Sequence, residues 1–367
     1  YPSAETGQEI YSGEDLQRTV EGGGGRSYRI AVSPQFGHDS FYTDSLIRSW
    51  YKSYISMILQ RVNTYSGIPY RNEPSIFGWE LANEPRSSDR SAGIVTQWVE
   101  ELSHHVKSLD TNHLVGTGEE GFDITRGSYS TSFYNNQQWL FDGTSGVSFL
   151  SNSAVNSIDF ASIHLYPESW NLPNNSGNVW IRDHRRLAGA LRKPLVLGEF
   201  GVRTLKAPTY DSWLTTMLLD GAAGGLVWQV LEGLRGDAEG FGFRCFQEFS
   251  VCSILRNSAS LFSLKSQTGA LSPPAAFSLR QNYPNPFNGV TTISYSLPEV
   301  SHVSIGVFNI TGEHVTILVD DVQEAGERKE LFDARSLASG IYFYRVISEG
   351  VSGGSRHTET KKLIFIK

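Results

Sequence analysis

The chain has 367 residues and carries 31 Lys and Arg against 38 Asp and Glu, which gives a formal net charge of −7. This acidic balance argues against a nucleic-acid or anionic-membrane partner. Hydrophobic residues make up 39% of the chain and charged residues 19%, a composition that excludes a disordered protein and allows a sizeable core. No run of about 18 apolar residues occurs, so no membrane insertion is predicted.

In chain order, the first predicted element is a helix over 43–63, because its apolar residues recur every 3.6 positions and Asp44 lies in its opening turn. Repeated strand-then-helix patterns follow and predict a parallel sheet, either a (β/α)8 barrel or a doubly wound fold. No glycine-rich phosphate-binding motif follows a strand, which disfavours nucleotide binding. The predicted strands are 76–81, 113–116, 158–165, 194–200 and 225–230, and the predicted helices between them are 94–109, 179–191 and 210–222.

The composition changes near residue 265. Residues 265–276 are rich in small residues and Pro and have no periodic apolar face, so they are predicted to be a linker. The alternating runs that follow predict a small β-sandwich over 277–367. The predicted domains are therefore a catalytic (β/α) domain over 1–264, this linker and the sandwich. The runs in the sandwich are 292–297, 303–307, 315–319, 340–346 and 362–367.

Cysteine and histidine usage limits the chemistry available to the chain. Only Cys245 and Cys252 are present, which excludes a disulfide scaffold and a Cys-based zinc site. They form either one local disulfide, as in an exported protein, or two free thiols. The nine His residues show no metal-ligand spacing, so neither a metal nor a cofactor is predicted.

Two carboxylates follow predicted strands. Glu84 comes after an apolar strand and is followed by Pro85, which cannot continue a central strand, and Glu199 ends a second apolar strand. Either Glu alone could be a solvated loop residue. Together they match the paired carboxylates that glycosidic bond cleavage requires. Glu119 and Glu120 follow another strand and are ranked lower, as substrate contacts.

Four motifs at predicted strand ends are similar to those of glycoside hydrolase family 5, specifically its endo-β-1,4-mannanases. They are Trp-Glu-Leu-Ala-Asn-Glu-Pro-Arg at 79–86, His-Leu-Tyr-Pro at 164–167, Leu-Gly-Glu-Phe-Gly at 197–201 and Leu-Val-Trp-Gln at 226–229. The resemblance covers roughly residues 20–262. It implies a (β/α)8 TIM barrel and a retaining hydrolase, with two carboxyl groups about 5 to 5.5 Å apart.

The same resemblance assigns roles to individual residues. It makes Glu84 the general acid/base, Glu199 the nucleophile and Asn83 a hydrogen-bond partner of the sugar 2-hydroxyl. His164 and Tyr166 would orient Glu84 and Glu199, and Trp228 would be a platform under a sugar ring. The alternative for these three residues is a purely structural role in the core or at the barrel rim. Arg86 and Trp170 are candidates for outer subsites, beside Glu120, the substrate contact proposed above from its position after a strand.

The sequence departs from the family pattern upstream of residue 43. Family barrels place three strands before this helix, whereas only one, near 27–32, fits here, and an Arg of the second strand has no counterpart. We therefore expect a chain that lacks its true N-terminus, a signal peptide and the first two or three barrel strands, and that is marginally stable and weakly active or inactive. A second departure is 145–149, where the family has an Asp before the Phe.

The C-terminal residues resemble the sorting domain of proteins exported by the type IX secretion system. The resemblance rests on Asn-Tyr-Pro-Asn-Pro-Phe-Asn at 282–288, Gly-Ile-Tyr-Phe-Tyr at 340–344 and Lys-Leu-Ile-Phe-Ile-Lys at 362–367. The alternative is a generic immunoglobulin-like spacer or a carbohydrate-binding module. A sorting domain implies a secreted or cell-surface protein with the type IX machinery as a partner.

The function that the sequence favours is endo-acting hydrolysis of β-1,4-mannosidic bonds in mannan, glucomannan or galactomannan. A cellulase-like endo-β-1,4-glucanase is the alternative within enzymes, because both share the paired Glu chemistry. The missing strands leave a third hypothesis, a non-catalytic glycan-binding surface protein.

Overall fold

The computed structural model describes residues 37–134, 137–232, 236–237, 239–268, 273–351 and 353–367. The strand predicted near 27–32 lies outside the described residues. Two compact units are present: unit 1 contains the described residues up to His164 together with Arg186–Gly198, and unit 2 contains Leu165–Arg185 and Glu199–Lys367. These units differ from the predicted domains, whose boundaries stay a prediction.

Helices and strands alternate in the first part of the chain, and strands dominate the last part. The helices are α1 Ser40–Thr43, α2 Ser45–Gln60, α3 Gly93–Leu109, α4 Phe149–Ala154, α5 Ser176–Ala190, α6 Lys206–Asp220 and α7 Phe249–Thr268. The strands are β1 Gly78–Glu80, β2 Leu114–Gly116, β3 Ala161–Leu165, β4 Leu195–Phe200, β5 Gly224–Val227, β6 Ser278–Leu279, β7 Val290–Leu297, β8 Ser301–Phe308, β9 His314–Gln323, β10 Gly326–Asp333, β11 Gly340–Gly350 and β12 Arg356–Phe365.

Helix α2 begins where the sequence predicts. The Asp44 carboxylate accepts hydrogen bonds from the backbone N–H groups of Leu46 and Ile47 at 2.9 and 3.0 Å, which satisfies two donors that the first turn leaves unpaired. One face of the helix is buried, and from it the Tyr51 hydroxyl donates to the backbone oxygen of Leu81 at 2.5 Å. The helix thus supports the chain just after β1.

Each of the five apolar runs predicted as strands contains or overlaps a strand, β1 to β5. Strands β1 and β2 pair in parallel, with Glu80 opposite Gly116. Strands β3, β4 and β5 form a second sheet in that order, and β3 is buried along its whole length. Both β3 and β4 begin in unit 1 and end in unit 2. A strand buried on both faces, such as β3, has a continuous apolar sequence, which is why the sequence predicts it.

The C-terminal strands form two sheets, one with the order β10-β7-β6 and the other with the order β12-β11-β8-β9. The pairs β10 with β7, β8 with β9, and β11 with β8 and β12 are antiparallel. Residues of both sheets contribute to one buried cluster, as expected for a β-sandwich. The cluster includes Leu279, Phe287, Ile293, Tyr295, Val303, Ile305, Val307, Val319, Phe332, Tyr344, Val346, Leu363 and Phe365.

The motif that opens the sandwich is tied to the last strand. The Asn285 side chain donates to the backbone oxygen of Lys362 at 3.0 Å and accepts from the backbone N–H of Ile364 at 2.9 Å. Phe287 pairs with the same strand through a bridge to Phe365. Two of the three segments that carry the sorting-domain resemblance, 282–288 and 362–367, therefore hold each other in place.

Three features differ from the sequence expectations or decide between alternatives. Helix α7 continues to Thr268, so the first part of the predicted linker 265–276 is helical. Strands β6 and β10 are present, although no alternating run predicts them. Cys245 and Cys252 form a disulfide, which decides between the two alternatives for these residues.

Among the described residues, no helix is long and apolar enough to cross a membrane.

Candidate active site

Glu84 lies in unit 1, four residues after the end of β1. Its backbone has a φ of 48°, and its N–H donates to the backbone oxygen of Gly118 at 2.8 Å. Gly118 has a φ of 77°, and a Cβ at this position would collide with the backbone oxygen of Ala82. Only glycine fits such a close approach at positive φ, so Gly118 fixes the path of the chain that carries Glu84.

His164 contacts the Glu84 carboxyl, as the resemblance implies. Its Nδ1 lies 2.9 Å from Glu84 Oε1. The His164 side chain is 1% exposed, whereas that of Glu84 is 31% exposed. A buried imidazole on strand β3 therefore holds a carboxyl that still reaches solvent. Asn83, immediately before Glu84, is half-buried.

Arg86 and Glu120 form a two-pronged ion pair in the same unit. Arg86 Nε and Nη2 donate to the two oxygens of Glu120 at 2.8 and 2.7 Å, and the guanidinium lies 4.9 Å from the centre of the Phe122 ring. Burial and the nearby Glu84 carboxyl raise the pKa of Glu120 to about 7, and Arg86 opposes this rise. The pair is thus electrostatically linked to Glu84.

Glu119 is a fully buried carboxyl next to this pair. The Thr117 hydroxyl donates to its Oε1 at 2.9 Å and the Asn152 amide to its Oε2 at 3.3 Å. Burial raises its pKa to about 8. The sequence ranks Glu119 as a substrate contact, whereas the structure gives its side chain no exposed surface, which favours a role in supporting the site.

A cleft of about 490 Å³ opens beside Arg86 within unit 1. The half-buried Trp139 contributes an aromatic ring to it, a residue that the sequence does not flag because no strand precedes it. Aromatic faces beside polar groups are typical of sugar-binding surfaces. The cleft is lined by Gly37, His38, Asp39, Arg86, Ser87, Ser88, Trp139, Thr144 and Ser145.

Glu199 and Tyr166 meet in unit 2. The Tyr166 hydroxyl donates to Glu199 Oε2 at 2.5 Å, and the Tyr166 ring packs 4.8 Å from that of Phe241. The predicted contact between these two residues is therefore present.

Two tryptophans predicted to bind substrate differ in their surroundings. Trp228 is half-buried just after β5, and its backbone N–H donates to the backbone oxygen of Phe200 at 2.8 Å. Trp170 is 5% exposed, and its ring packs 4.9 Å from that of Trp180. This burial corrects the expectation for Trp170, because a ring in the core has no face to offer to a sugar.

The segment 145–149, where the sequence departs from the family pattern, has a defined structure. The Ser148 hydroxyl accepts from the backbone N–H of Ser151 at 3.1 Å and so caps helix α4. It also donates to Asp123 Oδ1 at 2.8 Å. Ser148 therefore supports a buried loop.

Comparison with known proteins identifies the family. The family model described as GH family 5 beta-mannosidase-like matches residues 35–230. The chain belongs to this family. A second model, described as a secretion system C-terminal sorting domain, matches residues 281–366. Both resemblances that the sequence suggests are thus confirmed.

Relatives of this family 5 chain include mannan endo-1,4-beta-mannosidase 7 of Arabidopsis thaliana, 33% identical over 270 residues that cover 66% of this chain and 61% of that protein. The chain thus spans less than two thirds of the length of this curated relative. The endo-beta-1,4-mannanase from Thermotoga petrophila has a TM-score of 0.60 at 27% identity, covering 90% of this chain and 74% of that one. For the endo-1,4-beta-mannanase from Rhizomucor miehei the TM-score is 0.59 at 33% identity, with coverage of 67% and 70%. These structures imply a TIM-barrel fold.

Proposed function

We propose that this protein hydrolyses internal β-1,4-mannosidic bonds of mannan, glucomannan or galactomannan, with retention of configuration. The observation that carries the proposal is the family 5 match over residues 35–230, which includes both Glu84 and Glu199. Supporting it, Glu84 follows β1 and Glu199 lies near the end of β4. Each carboxyl has a hydrogen-bonding partner, His164 for Glu84 and Tyr166 for Glu199.

In the proposed mechanism Glu199 is the nucleophile and Glu84 the acid/base. A Glu199 oxygen attacks the anomeric carbon and forms a glycosyl ester, while Glu84 gives its proton to the departing sugar oxygen. Glu84 then removes a proton from a water molecule, which attacks the same carbon and releases Glu199. Two inversions at one carbon give net retention.

Other residues of the proposal bind the sugar chain. Asn83 donates to the 2-hydroxyl of the reacting sugar, a contact that tightens in the transition state. Trp228 provides a platform under a ring. Arg86, held by Glu120, contacts a neighbouring sugar unit. Trp170 is omitted because its ring is buried.

The C-terminal β-sandwich is proposed to be an immunoglobulin-like sorting domain that directs the protein to the type IX secretion machinery. Its support is the family match over residues 281–366. The resulting location is outside the cell or on its surface, where a polymer too large to import is digested.

The test compares Glu199→Ala, Glu84→Ala and Glu100→Gln in hydrolysis of an aryl β-mannobioside and of polysaccharides. Glu100 is an exposed residue of α3 and serves as the matched control. We expect Glu199→Ala to lower kcat by at least about 10⁴-fold. For Glu84→Ala, added azide restores turnover of the aryl β-mannobioside and yields a β-mannobiosyl azide, because a small anion replaces water without needing a base.

The polysaccharide panel separates the proposed function from its alternatives. Release of reducing ends from mannan and glucomannan supports a mannanase, whereas faster release from carboxymethylcellulose supports an endoglucanase. Glycan binding without hydrolysis, unchanged in Glu199→Ala, would leave only a binding protein.

A further inference from the structure

Helices α5 and α6 meet strand β10 of the C-terminal sandwich through buried charges, all within unit 2. We call this contact the junction. It is formed by Asn178 and Arg182 on α5, Asp220 on α6, and Arg328, Lys329 and Glu330 on β10. Charged side chains are seldom fully buried unless they are paired, so the junction needs a physical explanation.

The first buried pair joins α5 to β10. Arg182 Nη1 lies 3.0 Å from Glu330 Oε1, and both residues are buried. Asn178 Nδ2 donates to the other Glu330 oxygen at 2.7 Å. Within the sandwich, Gln323 Nε2 donates to Glu330 Oε1 at 3.3 Å. Donors from both sides therefore satisfy the buried carboxylate.

A second buried pair has the opposite polarity. Arg328 Nη1 lies 2.8 Å from Asp220 Oδ1, with side-chain exposures of 1% and 8%. In the first pair the helix supplies the cation, and in the second it supplies the anion. Because a shift of β10 along the helices would bring like charges together, this alternation fixes one register of docking.

The junction also covers a sheet edge. Strand β10 is one of the two edge strands in the order β10-β7-β6. The Ser212 hydroxyl of α6 donates to the backbone oxygen of Lys329 at 2.8 Å. At Gly326 a Cβ would lie 2.5 Å from Leu219 Cδ2. The helix thus lies against an edge that would otherwise be open to unwanted pairing.

We propose that the C-terminal sandwich is a specific binding partner of helices α5 and α6, held by the junction and not by the covalent linker. The sandwich therefore stays bound after the chain is cut between 268 and 277. This inference does not depend on the proposed activity.

The test places a protease recognition sequence after residue 272 of the full chain and cuts it. The two fragments are expected to co-elute on size-exclusion chromatography at about 10 μM. Arg182→Met leaves the Glu330 carboxylate buried without its cation, and Glu330→Gln leaves Arg182 with only the more distant Asp321 carboxylate, 3.5 Å from its Nε. We expect either change to weaken fragment association on the order of 100-fold. The double variant Arg182→Met/Glu330→Met removes both charges and recovers most of the loss.

The matched control is Glu327→Gln. Glu327 lies on the same strand, but it is exposed and pairs with Arg280 inside the sandwich, so its substitution leaves association unchanged. Circular dichroism before cutting verifies that each variant is folded. Separation of the unsubstituted fragments at 10 μM overturns the proposal. Equal association of the single and double variants overturns it as well.

Discussion

At the scale of single residues, Glu119 shows how burial raises the pKa of a carboxyl group. Its side chain is fully buried, with hydrogen bonds from Thr117 and Asn152. Burial raises its pKa to about 8 from 4.5, so the folded chain keeps this proton across a range in which the unfolded chain has lost it. The unfolded state then binds fewer protons, and the free energy of unfolding falls as pH rises from about 4.5 to 8.

We predict that Glu119→Gln flattens this dependence, because the amide does not titrate. One proton contributes a slope of at most about 1.4 kcal/mol per pH unit. Urea denaturation at pH 5, 6, 7 and 8 measures the difference between the variant and the unsubstituted chain. Glu100→Gln, on the exposed side of α3, is the control and keeps the original slope. Identical slopes for Glu119→Gln and the unsubstituted chain would contradict the prediction.

Single residues also show what a sequence can and cannot predict. Glu84 and Glu199 are recognisable because each comes at the end of an apolar run, and their contacts with His164 and Tyr166 are those that the family resemblance implies. The burial of Trp170 is not predictable in this way, because it depends on how the chain packs Trp170 against Trp180 of helix α5. Position along a strand is a local property, whereas exposure depends on packing.

At the scale of elements, the turn after β1 depends on Gly118. We predict that Gly118→Ala destabilises the chain by about 2 kcal/mol or more, because the new Cβ meets the Ala82 oxygen in a backbone conformation that disfavours a side chain. Hydrolytic activity is expected to fall with it, since Gly118 also accepts the Glu84 N–H. Gly127→Ala is the control, because no atom lies within 4 Å of the place that its Cβ would occupy. Thermal denaturation of both variants checks the prediction, and equal midpoints would refute it.

Elements also differ in how visible they are in sequence. Strands β1 to β5 are predicted because each lies within or overlaps a short run of mainly apolar residues, and β3, which is buried along its whole length, is the clearest case. Strand β10 is missed because its buried positions include Arg328 and Glu330, which pair with Asp220 and Arg182 across the junction. A strand whose inward side chains are charged has no apolar alternation to detect. The residues of α5 that pair with Glu330 lie about 150 residues earlier in the sequence, so the reason for a buried charge on β10 is not visible locally.

At the scale of the whole molecule, the disulfide and the match to a sorting domain both point to an oxidising compartment outside the cytosol. The sequence leaves Cys245 and Cys252 either paired or free, and the structure pairs them. Structural disulfides persist in oxidising surroundings and are rare in the cytosol. A match to a secretion sorting domain points to the same surroundings from an unrelated part of the chain.

This agreement yields a prediction about reducing conditions. The disulfide closes a loop with a sequence separation of 7. Because the cross-link lowers the chain entropy of the unfolded state, a loop of this size is expected to add roughly 2 to 3 kcal/mol to the free energy of unfolding. We expect dithiothreitol to lower the urea midpoint of the unsubstituted chain, and Cys245→Ser/Cys252→Ser to have that lower midpoint with or without reductant. The double variant is the control for other effects of the reagent. If reductant shifts both proteins equally, the disulfide does not stabilise the fold and its link to the exported state fails.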